Sequence, residues 1–477
     1  MQNICNFSLI NLWCTKNLVD SQYFLWRLFD ISIKTPEYQL NYFTDPFDLE
    51  TNIVFVNTCG FISSWRDEAD ATVRKLLKAK KTIYLLWCAV QYYKKLQGRG
   101  PGGKGQENKE LQVPPTNPLI PNLHYLSRGD LNKVNVRQIM QGYDSKTFGD
   151  FEFSTWPRVY TNIEQKFEYL KIAEWCDNHC SFCIIPQIRG KQKSLSIEKI
   201  IAEAKNMIAS GIKEIILIAQ DTTRYGTDLY GKPQLLELLK KLDTLKGDFS
   251  YRLLYLYPDI VTLKQIKELK KLKKFIPYFD IPLQHTSSPI LKRMGRFYDE
   301  WYLLQFLDQI KKTFPIRYIR TNLIIGFPGE TDNDFEKLMK FVENNIFDNI
   351  ALFEYHDEPL AASSKLDNKV EYSTIRARFT KIRQLVNKQL LESENSRKGK
   401  EEIGYIMEIQ QVKGGRWKVK GKFSSLVPGS SFPQLVVRPR LHCPEIDAYD
   451  EIALDQVIDT FCTTSELAIG DKILYTV

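Results

Sequence analysis

Six cysteines fall into two sets whose types and spacing could do chemistry. Cys176, Cys180 and Cys183 lie in EWCDNHCSFCIIP, a CxxxCxxC triplet directly after an apolar run. Cys14, Cys59 and Cys88 stand singly, each at the end of an apolar, strand-like segment near the amino terminus. Three thiolates on one short loop can hold three irons of a cubane cluster. The fourth iron is then open to a substrate or cofactor, whereas closed clusters normally use four cysteines. Two such sets suggest an enzyme with two open clusters. Other uses of these residues stand beside that one. Scattered cysteines serve as buried small hydrophobes. Zinc could take the triplet with His179 as fourth ligand, although zinc loops usually repeat as paired units and no second unit exists. Disulfides are disfavoured, since no secretory signal precedes the first strand.

The elements that must position the triplet read as strand–helix units. Tyr169 to Trp175, Glu214 to Asp221, Ser250 to Pro258, Phe275 to Gln284, Arg317 to Phe327 and Ile350 to Tyr355 are six short apolar, strand-like runs. Between them lie segments with helical spacing, such as IEKIIAEAKNMIASG, which ends at Gly211 as a C-cap. Alternating strands and helices predict a parallel sheet with right-handed crossovers. Six units fall short of a closed eight-fold barrel, so an open, partial barrel is expected. Parallel barrels carry their chemistry at the carboxyl ends of the strands. Here those ends hold the cysteine loop, Gln220-Asp221, Tyr257-Pro258, Gln284-His285 and the turn from Gly326 to Glu330. Each alone is an ordinary turn or cap; their shared position makes a site.

Upstream, FSLINLWC, NIVFVNTCG and KTIYLLWC read as three parallel strands ending in Cys14, Cys59 and Cys88. Open α/β sheets bind ligands at that edge. Downstream, RARFTKIRQLVNKQLLES is a charged helix, followed by strand-like alternation from Ile403 to Phe423. The expected architecture is α/β: an amino-terminal α/β cluster-binding domain over 1–145 and an open partial (βα)6 barrel over 160–372. A linker helix over 373–398 then leads to a small carboxyl-terminal β-barrel over 399–477.

These motifs resemble a known family. A CxxxCxxC loop after the first strand of a six-unit partial barrel is similar to the radical S-adenosylmethionine (SAM) superfamily. LWCTKNLVDSQ, FVNTCGFI, CSFCIIPQIRGK, LIAQDTTRYGTDL, LLYLYP, DIPLQH and IIGFPGETDNDF look like the methylthiotransferases within it. QDTTRYG, DIPLQH and the late CPEIDA (443–448) resemble the RimO type, which methylthiolates an aspartate of a small-subunit ribosomal protein. The resemblance implies that Cys176, Cys180 and Cys183 hold a 4Fe–4S cluster whose free iron chelates SAM. It implies that Cys14, Cys59 and Cys88 hold a second 4Fe–4S cluster, which carries the sulfur, while a second SAM supplies the methyl group. Gln220, His285, Arg320, Gly326 and Gly329 are then expected SAM neighbours. A one-electron donor such as flavodoxin or ferredoxin is implied, and the last domain resembles a TRAM module. Residues 401–477 hold 8 Lys+Arg against 11 Asp+Glu. An acidic module repels phosphate and attracts a basic ribosomal protein, so direct RNA binding is not expected. The alternative substrate is a tRNA adenosine, with the same two-cluster chemistry. A rival of another class is a zinc-dependent nucleic-acid-binding protein.

The chain departs from the family pattern in several places. Trp13, Trp87 and Trp175 each directly precede a cluster cysteine, where the family has glycine. Glycine suits positive φ or a close approach, and an indole suits neither. One reading is that the gene uses UGA for glycine and was translated as if UGA meant tryptophan; the other is that the indoles shield the clusters. Residues 96–118 form a Gly/Pro/Lys stretch of linker character, and Arg128-Gly129-Asp130 matches the family's GD turn. Leu195 stands where the family tends to have arginine, and with GDKILYTV as the last residues a final barrel strand is expected to be missing. The 477 residues have room for about three domains. A composition of 43% hydrophobic and 26% charged residues is ordinary for a globular protein. No apolar run approaches the roughly 20 residues of a membrane helix. A cytoplasmic protein without a membrane partner is therefore expected. Its net charge of +9 is too modest to argue for nucleic acid.

Overall fold

The computed structural model describes residues 3–12, 14–60, 63–88, 91–92, 122–126, 134–143, 157–258, 263–344, 347–410, 434–444, 447, 450–453, 457–460 and 472–477. Trp13, the 96–118 stretch, Arg128-Gly129-Asp130 and the alternating residues after Gln410 up to Phe423 lie outside the described residues. The chain divides into two compact units. The first contains Met1–Thr161, Ala173–Leu195 and His356–Leu366; the second contains Asn162–Ile172, Ser196–Tyr355 and Asp367–Val477.

The first unit is built on a parallel sheet of β1 (Asn3–Asn11), β2 (Tyr38–Tyr42), β3 (Ile53–Thr58), β4 (Thr82–Trp87) and β5 (Leu123–Leu126), in the order β2-β1-β3-β4-β5. β3 (IVFVNT) is buried throughout, as a β-branched run with both faces covered must be. Phe24, Leu25 and Leu28 of the helix Thr15–Lys34 pack with Phe7, Phe55 and Tyr84. Ala69, Val73 and Leu76 of the helix Ser63–Lys78 pack with Val54, Val56 and Ile83. Alternate residues of the same strands thus feed two apolar layers, one for each helix. The short hairpin β7 (Ala173–Glu174) and β8 (Lys193–Ser194) closes the base of the CxxxCxxC loop in this unit.

The second unit holds six parallel strands in the order β13-β12-β11-β10-β9-β6. They are β6 (Phe167–Lys171), β9 (Glu214–Ile218), β10 (Ser250–Leu253), β11 (Phe275–Gln284), β12 (Tyr318–Ile325) and β13 (Asn349–Glu354). All six expected strands form, and each pairs with its neighbour in sequence, the arrangement that repeated crossovers give. Several are shorter than the apolar runs predicted, because the terminal residues leave the ladder for turns at the carboxyl ends. Helices start where side chains can cap them. Thr331 and Asp334 form a reciprocal capping box at the helix Asp332–Glu343, and Ser196 caps Ile197–Ala209. Gly211 lies one residue past that helix's cap, Ser210, with φ +87°.

The helix Tyr372–Arg397 leads to an antiparallel sheet of β14 (Glu401–Gln410), β15 (Gln434–Pro439), β16 (Asp450–Ala453), β17 (Val457–Thr460) and β18 (Lys472–Thr476), in the order β16-β15-β14-β18-β17. β18 pairs with both β14 and β17. Buried charge ties this segment to the parallel sheet of its own unit. Glu214 accepts from Arg252 Nε and from Arg438 Nη2, both at 2.6 Å, and all three side chains are at most 1% exposed. Arg252 Nη1 and Nη2 and Arg438 Nη1 donate to the carbonyls of Leu441, Arg440 and His442. The CPEIDA segment closes on itself when Cys443 N–H donates to Asp447 Oδ2 at 2.7 Å. Asn349 Nδ2 and the Tyr318 hydroxyl both donate to Asp447 Oδ1.

Candidate functional site

The site begins with strand order. β1, β3 and β4 are adjacent and parallel, and Cys14, Cys59 and Cys88 follow their carboxyl ends. Adjacent strands lie about 4.8 Å apart, so the three thiols are delivered to one edge of the first unit's sheet. Asn17, fully buried in the first turn after Cys14, connects the three positions. Its Nδ2 donates to the carbonyl of Thr58, the residue before Cys59, at 3.0 Å. Its Oδ1 lies 3.9 Å from Cys88 Sγ.

Arg189 follows the short helix Ile185–Ile188 on the CxxxCxxC loop. Its Nε and Nη2 donate to Cys88 Sγ at 3.2 and 2.6 Å, and Nη2 also donates to Asn17 Oδ1 at 2.7 Å. Nη1 pairs with Glu174 at 3.3 Å, with the two side chains 7% and 1% exposed. Arg66 acts near the third thiol: Nη1 donates to the carbonyl of Gly60 at 3.0 Å, and Nη2 pairs with Glu358 at 2.7 Å. The Tyr92 hydroxyl takes the other Glu358 oxygen. Burial pushes the Cys14 thiol up, but Lys16, Arg189 and two backbone N–H groups outweigh it and hold Cys14 below its ordinary value. At Cys88 burial wins over Arg189, and the thiol is raised.

On the triplet loop, Cys176 Sγ accepts from Asn178 N–H at 3.4 Å, and Cys183 N–H donates to the Cys180 carbonyl at 3.0 Å. Asp177 Oδ1 takes the Gln192 N–H at 2.9 Å across the loop's base. Trp175 opens the loop at φ +64°, in the left-handed region. It is 7% exposed, with Lys193 Nζ 4.8 Å from its ring centroid. All eight described cysteines are free. The donor set, six thiols in two groups of three within one unit, fits thiolate-ligated clusters. Among the described residues no group of three His, Cys, Asp or Glu is already drawn into a metal-holding arrangement.

In the second unit, left-handed residues mark the carboxyl ends of successive strands: Tyr255 after β10, Gln284 at the end of β11 and Gly326 after β12. Backbone in this region concentrates at functional turns. His285 is fully buried; its Nδ1 accepts from Ser287 N–H at 3.0 Å, and its Nε2 lies 3.5 Å from Glu330 Oε2. Glu330 also accepts from Gly326 N–H at 2.9 Å and from Arg378 Nη1 at 2.8 Å. His285, Gly326 and Glu330 are therefore brought together. Gly329 has φ +92°, and a Cβ there would meet Arg293 Nε at 2.7 Å. The buried Gln220 Oε1 after β9 has no hydrogen-bond partner among the described residues. Arg320 is placed differently from the expected rim position: it is third in β12, opposite Asp280, and its Nη1 pairs with Asp280 Oδ1 at 2.8 Å. The strand starts only two residues earlier, which puts Arg320 well before its carboxyl end.

Sequence reasoning missed Asn17, Arg66, Arg189, Glu174 and Glu358. Arg189 and Asn17 stand inside the quoted motifs, and their signal was position: a polar residue within a few places of a cysteine, in a segment otherwise destined for burial. Glu358 carries no such signal, because its partners are nearly 300 residues away.

No described helix is long and apolar enough to cross a membrane. Residues 170–342 match the radical SAM superfamily. The ribosomal protein uS12 methylthiotransferase RimO of Alkaliphilus oremlandii is 35% identical over 418 residues, 87% of this chain and 88% of that protein. The protein of the same name from Dictyoglomus thermophilum is 33% identical over 93% of this chain and 98% of its own length. That from Pseudothermotoga lettingae is 38% identical over 70% and 74%. With identity at this level over nearly the whole length of such relatives, and with the superfamily match spanning the cysteine triplet, the chain belongs to the RimO family of radical SAM methylthiotransferases.

Proposed function

We propose that this protein is a two-cluster methylthiotransferase that adds a methylthio group to the β-carbon of an aspartate in the small-subunit ribosomal protein uS12. The observation that supports the two-cluster reading is the placement of Cys14, Cys59 and Cys88 just past the carboxyl ends of three adjacent strands, with Asn17 bonded to the carbonyl before Cys59 and Arg189 to Cys88. A cubane on Cys176, Cys180 and Cys183 with SAM at its open iron would supply a 5′-deoxyadenosyl radical for hydrogen abstraction, and a cubane on the other three thiols would present the sulfur. The chain's own residues do the rest. Asn17 and Arg189 fix the thiols, while Arg66 holds the Gly60 carbonyl beside Cys59. Burial of Cys59, Cys88 and Cys176 keeps water from the sulfurs. Gln220, His285, Gly326 and Gly329 are assigned to the SAM pocket, whereas Arg320, inside β12 and paired with Asp280, is not. Of these, Gln220 supports the assignment best, because it offers a buried carbonyl oxygen with no donor among the described residues.

Residues 1–145 are assigned as the sulfur-cluster domain, 160–372 as the partial barrel and 373–398 as the linker helix. Residues 399–477 are assigned as a TRAM-like module that receives a basic protein through its acidic excess. Electrons would come from a flavodoxin- or ferredoxin-type donor, and a ribosomal substrate places the work in the cytoplasm.

The test is anaerobic reconstitution with iron and sulfide. About eight irons per chain are expected from two 4Fe–4S cubanes, with half lost on replacing Cys14, Cys59 and Cys88 together by alanine. A uS12 peptide should gain a methylthio group. Four irons in the intact protein would remove the sulfur-donor mechanism, zinc in place of iron would remove both clusters, and a methylthiolated tRNA adenosine would replace the substrate.

A further inference from the structure

Arg189 belongs to the loop that carries one cysteine set, yet its guanidinium ends on the other. Two of its N–H groups reach Cys88 Sγ, a third contact goes to Asn17, and Glu174 holds the far side. A buried guanidinium has many donors, and carbonyls or carboxylates are its usual partners. Pointing two of them at one sulfur is sensible if that sulfur carries negative charge. Asn17 and Glu174 each supply a second anchor, so the fork is held in place. We propose that Arg189 is a positioning residue for the cluster on Cys14, Cys59 and Cys88: it neutralises charge at the Cys88 sulfur and makes the reduced cluster easier to reach. The proposal rests on the two-cluster reading above.

A cluster that gains an electron becomes more negative, so an adjacent fixed cation raises its midpoint potential. Removing the cation should lower it. The experiment uses the full chain with Cys176, Cys180 and Cys183 replaced by alanine, which leaves only the second site. Iron is counted, and the midpoint is read by EPR-monitored titration with dithionite. If this parent holds no iron, the cluster reading fails, and this proposal with it. If it holds about four, Arg189→Met is expected to lower the reduced-to-oxidised ratio at fixed potential about tenfold, a shift of about 59 mV for one electron. Arg189→Lys keeps the charge and should stay within half of that shift. An iron-loaded Arg189→Met protein with the parental midpoint overturns the proposal while leaving the cluster reading intact. If Arg189→Met cannot load, Arg189→Lys decides: loading near the parental midpoint supports a charge role, and failure to load overturns it.

Discussion

Trp175 offers a test in which the sign alone decides. Its backbone lies at φ +64°, where a side chain costs about 1–2 kcal/mol and glycine costs none. Its indole is 7% exposed and faces Lys193, so the ring contributes burial that opposes the backbone cost. Truncation of a buried tryptophan costs about 3–5 kcal/mol. Trp175→Gly and Trp175→Ala lose the same ring and differ only at the backbone. In most positions glycine is the less stable of the two, by about 0.5–1 kcal/mol. Here the order should invert, with the glycine variant more stable by about 1 kcal/mol, because alanine keeps the left-handed strain. A two-unit chain has no single unfolding free energy, so the assay should be local. Amide exchange at Gln192, whose N–H donates to Asp177 across the loop's base, reports opening of this loop. About 1 kcal/mol corresponds to about fivefold greater protection in the glycine variant. Equal protection, or greater protection in Trp175→Ala, would refute the backbone argument.

Three further outcomes are expected. Peptide mass spectrometry of the protein from its native source should find glycine masses at positions 13, 87 and 175, and indole masses at all three would end the recoding reading. Glu214→Gln leaves Arg252 and Arg438 buried without their carboxylate and should destabilise the second unit by about 3–5 kcal/mol in urea denaturation. Burial pushes the Glu214 carboxyl up, but the two arginines outweigh it and hold it below the usual range, so its contribution is complete above the unfolded value and is lost as pH falls through the folded one. The parent should therefore lose stability in acid more steeply than Glu214→Gln, and parallel profiles would contradict this. Gly326→Ala would place a Cβ 2.3 Å from Ile375 Cγ1 at φ +82°, an overpacking of about 1–3 kcal/mol. Adding Ile375→Ala should relieve the clash yet leave about 1 kcal/mol of backbone strain, read by the same denaturation.

The strands were legible because burial on both faces leaves an uninterrupted apolar run. β9 could be read for that reason, and β11, though interrupted by Asp280, was located to the residue. Their order was legible too, since repeated strand–helix units leave few alternatives. The ends were less clear. Pro258 and Phe327 continue an apolar pattern, but the backbone has already turned at Tyr255 and Gly326, and pattern does not record φ. The cysteines were visible as residue types, and strand order puts Cys14, Cys59 and Cys88 at one edge of the first unit's sheet. Arg320 was misplaced because a motif fixes sequence distance from a turn and not where the strand begins. Gly326 and Gly329 were named for a ligand, yet the space beside them is filled by Ile375 and Arg293. Glycine there is required by packing whether or not a ligand approaches.

The buried arginines separate into two kinds by what receives their protons. Arg252 and Arg438 share Glu214, and both also donate to main-chain carbonyls. Such an arrangement has its charges paired before any ligand arrives. Replacing one member costs stability, but nothing in it awaits a partner. Arg189 differs because two of its donors end on the sulfur of a thiol, which is a weak acceptor while protonated and a strong one once ionised. Cys88 is raised in this structure, so the contact reaches full strength only when the proton leaves. Metal ligation removes that proton. As a thiol, Cys88 can donate weakly to Asn17 Oδ1 at 3.9 Å; as a thiolate it would accept the two Arg189 donors at full strength. The Arg189 contacts thus suit the cluster proposed for these thiols, whereas the Glu214 pair would be the same in any protein that needed β15 held against β9.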